Sequence, residues 1–176
     1  MNDSQLVDKV LEAIPKNSVG RYDLLPIVKN VKLFREIVKY LADPFLGKAD
    51  YVASPEAIGW VLGTAIATEL NVGFIPLRKS GRLPYPNELL ISRSYIDYSR
   101  KEKSLEIKKD SIARGDRILI VDEWVETGTT MKCCIELLEK AGGTIAGLAT
   151  IGIDYREQTK DWIDTGFIRF IGTDIE

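Results

Sequence analysis

Apolar residues recur at helical spacing in two N-terminal stretches. Over Ser4 to Ile14 they are Leu6, Val7, Val10, Leu11 and Ile14, and over Leu33 to Leu41 they are Leu33, Phe34, Ile37, Val38 and Leu41. Each set falls on one side of a 3.6-residue helix, and a polar, glycine-containing connection (15–23) separates the two. The pattern then changes period. Asp50 to Ala53, Phe74 to Arg78, Ile118 to Val121, Thr144 to Ile151 and Phe167 to Ile171 are short apolar runs of strand length. Ile118 to Val121, mostly β-branched, has the texture of a strand covered on both faces. Ser54-Pro55-Glu56 reads as a helix start, with a cap, a proline at the first position and an acid in the first turn. The helix it predicts, to about Leu70, is rich in Ala and Gly and suits close packing on a sheet. Another helix is predicted over Met131 to Ala141, with Met131, Cys134, Ile135 and Leu138 on one face. Strands alternating with helices predict an α/β fold with a central, mostly parallel sheet flanked by helices. Ligands on such sheets gather at the C-terminal ends of the strands.

Length and composition narrow the class. A chain of 176 residues with 45% hydrophobic and 28% charged residues is that of one soluble globular domain. The net charge of −2 gives no global attraction to nucleic acid or an acidic membrane, and neither is expected as a partner. No apolar run reaches membrane-spanning length, and the N-terminal residues lack a signal-peptide core, so a cytoplasmic location is expected. Cys133 and Cys134 are adjacent, which argues against a structural disulfide or a zinc site. There is no histidine. Acid–base chemistry therefore falls to carboxylates, tyrosine, lysine or the substrate itself.

The chemistry concentrates in residues 118–130. The apolar strand is followed by Asp122 and Glu123, then by Thr127-Gly128-Thr129-Thr130 leading into a helix. Free N–H groups, threonine hydroxyls and the helix dipole would point at an anion, and Gly128 lets the backbone approach it. The two carboxylates are placed to accept hydrogen bonds from vicinal hydroxyls. Each half has an ordinary alternative: a solvated acidic loop, or a simple helix cap. Their adjacency is what suggests a phosphate site beside a sugar site. It is neither a P-loop, since no Lys follows the glycine turn, nor a dinucleotide turn with spaced glycines.

Between Pro76 and Ser104 helix-period patterning is absent. Arg78, Lys79, Arg82, Arg93, Arg100, Lys101 and Lys103 outweigh Glu88, Asp97 and Glu102, giving this stretch a net +4 and the rest of the chain −6. A basic segment on an acidic protein suggests a polyanionic small ligand. A long loop of this kind is expected to serve as an active-site lid, although residues 93–103 suit a solvated surface hairpin equally well.

Three blocks carry a family likeness: Asp50 to Gly63, Gly73 to Pro84 and Ser104 to Gly143. In this order they resemble the type I phosphoribosyltransferases, and among them the adenine phosphoribosyltransferase group. Asp122-Glu123 through Thr130 is specific for phosphoribosyl pyrophosphate (PRPP) or nucleotide binding. Arg78 to Pro84 narrows the likeness to the adenine type. The resemblance implies a single domain over 1–176, with a small N-terminal hood within about 1–45 and a flexible basic lid over about 85–104. It implies exchange of pyrophosphate for a nitrogen base on C1 of ribose 5-phosphate, with Mg²⁺ carried mainly by PRPP, and a homodimer.

The roles follow residue by residue. Glu126, Thr127, Gly128, Thr129 and Thr130 would hold the 5-phosphate. Asp122 and Glu123 would take the ribose hydroxyls and favour a cationic sugar. Ala57, Ile58, Arg78, Lys79 and Arg100 correspond to the pyrophosphate side. Asp97 lies where the family's loop carries Glu, so closure over 85–104 would exclude water from the site. Tyr22, Trp124 and Val125 lie on the base side, and Glu126 is a candidate acid towards a base nitrogen.

Several positions depart from the family. Ile58 stands where the family's turn carries an arginine, and Tyr22 replaces an arginine of the hood. Glu126 replaces the small residue usual in adenine enzymes, where the hypoxanthine-guanine enzymes carry Asp. Trp124 is unusual, and stacking on a base or simple packing would each account for it. These departures raise a second reading, a non-catalytic PRPP- or nucleotide-binding regulatory protein.

Overall fold

The computed structural model describes residues 3–14, 23–96 and 102–173. Helices α1 (Asp3–Ala13), α2 (Leu25–Lys29) and α3 (Val31–Ala42) come first, followed by β1 (Tyr51–Pro55), α4 (Ile58–Leu70) and β2 (Gly73–Lys79). Then come β3 (Leu90–Ile96), β4 (Glu102–Lys108), β5 (Arg117–Val125), α5 (Thr129–Lys140), β6 (Thr144–Ile153), α6 (Lys160–Asp164) and β7 (Ile168–Thr173). The seven strands form one sheet in the order β3-β4-β2-β1-β5-β6-β7. β2, β1, β5, β6 and β7 are mutually parallel, and β3–β4 is an antiparallel hairpin added at the β2 edge.

The chain reverses direction across the sheet between β1 and β5, where Tyr51 to Ala53 pair with Ile118 to Ile120. From this point α4 leaves on one face and α5 on the other, which opens a crevice beyond the strand ends. One core, on the α4 side, joins α1, α2 and α3 to the sheet through Ile27, Ile37, Leu41, Ile66, Leu119 and Val121. The segment expected as a hood thus lies in part on the same sheet face as α4. The other core joins α5 and the hairpin to the sheet through Leu77, Leu105, Ile107, Ile118, Ile120 and Leu137. Alternate residues of Ile118 to Val121 feed the two cores, so the strand is covered on both sides.

Three local expectations are corrected. Ser54 and Pro55 end β1, paired with Pro76 and Leu77, and do not begin a helix. α4 starts only at Ile58, without a side-chain cap. The cap signature yields to burial of Ser54 in the sheet. Second, the Pro76–Ser104 stretch is no structureless loop, since most of it is the end of β2, a turn and the hairpin. Third, α5 buries Cys133 and Leu137 besides Met131, Cys134 and Leu138, while Ile135 is only half-buried. The hairpin covers a second side of α5 and widens its apolar stripe.

α4 approaches β1 closely because of Gly63. A Cβ there would stand 2.0 Å from Ser54 Oγ and 2.9 Å from the Phe74 ring. Ser54 Oγ is itself buried without a hydrogen-bond partner. Gly63→Ala gains roughly 1 kcal/mol of helix propensity, against an overpacking cost of about 1–3 kcal/mol or more. The variant is therefore expected to lose net stability in denaturant unfolding. Ser54→Ala, which deletes an unpaired buried hydroxyl, should be neutral or stabilising and should recover part of the loss in the double variant.

Candidate phosphoribosyl site

β5 does not stop at the acidic pair, as the sequence suggested. It continues to Val125, held by β6 through Asp122↔Thr150, Trp124↔Gly152 and Val125↔Ile153. Asp122 and Glu123 are therefore fixed on a strand. Glu123 N donates to Asp122 Oδ1 at 3.0 Å. Glu123 Oε2 is buried with no partner. Burial, together with the adjacent Glu123 carboxylate, pushes the Asp122 pKa well above its usual 3.8. Asp122 thus tends to retain a proton.

The turn that follows is built for close approach. Gly128 has φ +77°, and a Cβ there would meet Thr159 Cγ2 at 3.0 Å and the Trp162 ring at 3.2 Å. Thr127 Oγ1 donates to Thr129 Oγ1 at 3.0 Å, and Thr129 N donates to Thr127 Oγ1 at 3.4 Å. The loop opens directly into α5, whose first-turn N–H groups face out of the helix end. Asp122 through Met131 and Lys103 of β4 line one pocket of about 190 Å³. Nine of the sequence-derived site residues, Asp122 to Thr130, thus meet in one place.

Trp124 forms a wall of that pocket. Its Nε1 donates to Asp154 Oδ1 at 3.0 Å, and its ring covers Gly152, where a Cβ would lie 2.1 Å from Cζ3. Asp154 is buried and also accepts from Arg156 Nη2 at 3.2 Å. The indole is pinned in place. The Val125 side chain is buried in the core, leaving its main chain to the pocket. Glu126 and Thr127 are exposed at the mouth.

The start of α4 reaches the acidic pair through Gly59, where a Cβ would lie 2.9 Å from Asp122 Oδ1 and 3.5 Å from Glu123 Oε2. Ala57, just before α4, and Ile58, its first residue, are exposed, Ile58 to 49%. Arg78 is not a free cation. Its Nη2 lies 3.5 Å from Glu56 Oε2 and its guanidinium lies over the Trp60 ring, while Nε is buried without a partner. Lys79 is exposed, and its N–H donates to Glu56 Oε1 at 2.8 Å. Glu106, 4% exposed, accepts from the N–H groups of Arg82 and Leu83 at 3.2 and 3.1 Å, which fixes the turn after β2. Tyr22, Asp97 and Arg100 lie outside the described residues.

Sequence reasoning missed Glu56, Gly59, Lys103 and Asp154. The sequence places Glu56 only in a helix turn, and nothing in local spacing brings Lys103 or Asp154 to residues 122–131. Those contacts depend on hairpin register and on β6. Among the described residues no cluster of three or more His, Cys, Asp or Glu forms a metal site. Both thiols are free and buried, with Cys133 pushed up to about 11 by burial and then by Glu136, and Cys134 raised well above the usual range.

The raised Asp122 pKa has a definite sign in stability. The folded state keeps a proton that the unfolded state releases near pH 4, so stability falls as pH rises towards the folded pKa. Asp122→Asn keeps an acceptor for Glu123 N and lacks the charge. It is expected to melt at a higher temperature than the wild type at about pH 8, with the difference shrinking towards about pH 4. A melting difference independent of pH would contradict the assignment.

Residues 25–171 match the phosphoribosyl transferase domain. Adenine phosphoribosyltransferase of Neisseria meningitidis serogroup C is 37% identical over 155 residues, covering 86% of this chain and 80% of the relative. That of Maricaulis maris is 38% identical over 144 residues, covering 81% and 79%. The crystal structure of adenine phosphoribosyltransferase from Thermoanaerobacter pseudethanolicus superposes with a TM-score of 0.83 at 30% identity, covering 96% of this chain and 99% of that one. With the domain matched over most of the chain, and with relatives aligned over most of their length, the chain belongs to the type I phosphoribosyltransferase family, in its adenine phosphoribosyltransferase group.

Proposed function

We propose that this chain transfers ribose 5-phosphate from PRPP to a purine base, adenine in the first instance, with release of pyrophosphate. The observation that carries this reading is the single pocket joining the Asp122-Glu123 pair to the hydroxyl-rich start of α5. In the reaction the bond from C1 to the pyrophosphate oxygen breaks and a bond from C1 to a base nitrogen forms, while the base gives up a proton. The sugar carries positive charge at the transition state.

Residues Glu126 to Thr130 would hold the 5-phosphate through main-chain N–H groups and threonine hydroxyls. Asp122 and Glu123 accept from the ribose hydroxyls, and their negative charge favours the cationic sugar. Arg78 and Lys79, with the main chain of Ala57 and Ile58, serve the leaving pyrophosphate. Trp124 offers a fixed ring face to the base. Glu126 stands where a carboxyl can exchange a proton with a base nitrogen. Tyr22 on the base side, Asp97 as the loop acid and Arg100 on the pyrophosphate side complete the set.

The residues also fit a Mg²⁺ ion that arrives with PRPP. Magnesium is held by one or two carboxylates together with substrate phosphates rather than by an all-protein cage, and the unpartnered Glu123 Oε2 suits that arrangement. Bound there, it would neutralise charge on the departing pyrophosphate. A homodimer and a cytoplasmic location belong to the same reading. Among the described residues, no helix is long and apolar enough to cross a membrane.

One observation favours a second reading, a PRPP- or nucleotide-binding regulator without turnover. Ile58 is exposed where the family carries an arginine, and Arg78 is engaged by Glu56. Incubation with PRPP, Mg²⁺ and each of adenine, guanine, hypoxanthine, xanthine and pyrimidines decides between them. Pyrophosphate release with a purine is expected. Tight PRPP binding in calorimetry without turnover on any base would favour the regulator. Asp122→Asn combined with Glu123→Gln should lower kcat/KM by about 100- to 1000-fold, the range for loss of transition-state electrostatic stabilisation. Wild-type turnover in that variant would overturn the assignment. Glu126→Gln should change the pH–rate profile if the carboxyl exchanges a proton with the base.

A further inference from the structure

The hairpin is a wall of the phosphate pocket as well as a flank of the pyrophosphate side. β3 is fastened along α5: Arg93 Nε donates to Glu136 Oε2, Lys140 Nζ to Ser92 O at 3.4 Å, and Cys133 Sγ to Arg93 O at 3.4 Å. At the end of the hairpin nearest the α5 N-terminus, Tyr95 shares a hydrogen bond with Thr130. Tyr95 is paired across the strands with Lys103. Burial raises the Tyr95 pKa, opposed by the Thr130 hydrogen bond and by the Lys103 charge.

Lys103 is half-buried and lines the pocket with the whole 122–131 segment. Among the described residues it is the only basic side chain in that lining, against the three acids Asp122, Glu123 and Glu126. A phosphate dianion held by neutral N–H and hydroxyl groups beside Glu126 meets repulsion that a lysine on the facing wall offsets. Register accounts for its position: Leu105 and Ile107 are buried in the core that α5 shares, and Lys103, two residues back on the same face, extends that face to the α5 N-terminus.

We propose that Lys103 is a phosphate-binding residue, pairing its ammonium with the anion held at the Glu126–Thr130 turn. The proposal rests on the reading that this turn holds the sugar phosphate. In this protein the hairpin thereby supplies the cation that the turn itself lacks.

Calorimetric titration of ribose 5-phosphate, and separately of pyrophosphate, into the wild type, Lys103→Met and Lys103→Arg tests this, with thermal melts confirming that each variant is folded. Lys103→Met should weaken ribose 5-phosphate binding about 10- to 100-fold, the range for loss of one hydrogen bond to a charged group. Lys103→Arg should retain most of the affinity, and pyrophosphate binding should change little. The difference between Met and wild type should also narrow at high salt, where charge pairs are screened. Equal binding of ribose 5-phosphate by the wild type and Lys103→Met overturns the proposal and leaves the phosphate turn intact. Selective loss of pyrophosphate binding overturns it too, assigning Lys103 to the other end of the donor. If the wild type fails to bind ribose 5-phosphate at all, the reading of the turn falls and the proposal with it.

Discussion

The pairing of β1 with β5 is the constraint on which the site depends. Because Tyr51 to Ala53 run parallel to Ile118 to Ile120, the two strands end side by side and their following helices diverge. The separation of α4 from α5 opens the crevice, and the shared strand ends bring the start of α4 to the acidic pair. Gly59 makes the last approach, because any side chain there would strike Asp122 Oδ1. The candidate site is thus set by sheet topology first and by side-chain chemistry second.

Electrostatics gives the crevice a gradient. At its base two adjacent carboxylates share little solvent, so desolvation and mutual repulsion oppose full ionisation. On the other side of the turn, the Arg78 guanidinium already has an acid neighbour in Glu56. The cation is oriented by that contact and by Trp60 instead of ranging freely. The same contact holds the N–H of Lys79, so one carboxylate sets the direction of two consecutive residues.

The apolar periodicities of α1, α3 and β5 were legible because each element buries its own face. The glycine turn at 127–130 was legible because helix starts and anion sites need the same residue types. Errors arose where partners far along the chain decided the outcome. Asp122 to Val125 contain acids that would normally end a strand, yet β6 supplies the hydrogen bonds that carry it on. Ser54-Pro55-Glu56 has a capping pattern, but pairing with Pro76 and Leu77 keeps it extended. In β3, Ile91, Arg93 and Tyr95 share a face, and the arginine, paired with Glu136 of α5, obscures the alternation. α2 has only five residues, begun by Asp23 accepting from Leu25 N, too short for a periodic signal. Trp124 illustrates the same limit within the site, since its fixed orientation comes from Asp154, thirty residues away.

The seam between β3 and α5 has a consequence for the thiols. Cys133 Sγ lies in that seam, donating to the Arg93 carbonyl, while Cys134 is wholly enclosed by the core. A reagent reaches Cys133 only when β3 parts from α5, whereas Cys134 opens only with the core itself. The two adjacent sulfurs thus form a built-in pair of clocks, one timing the departure of the hairpin and the other the unfolding of the domain.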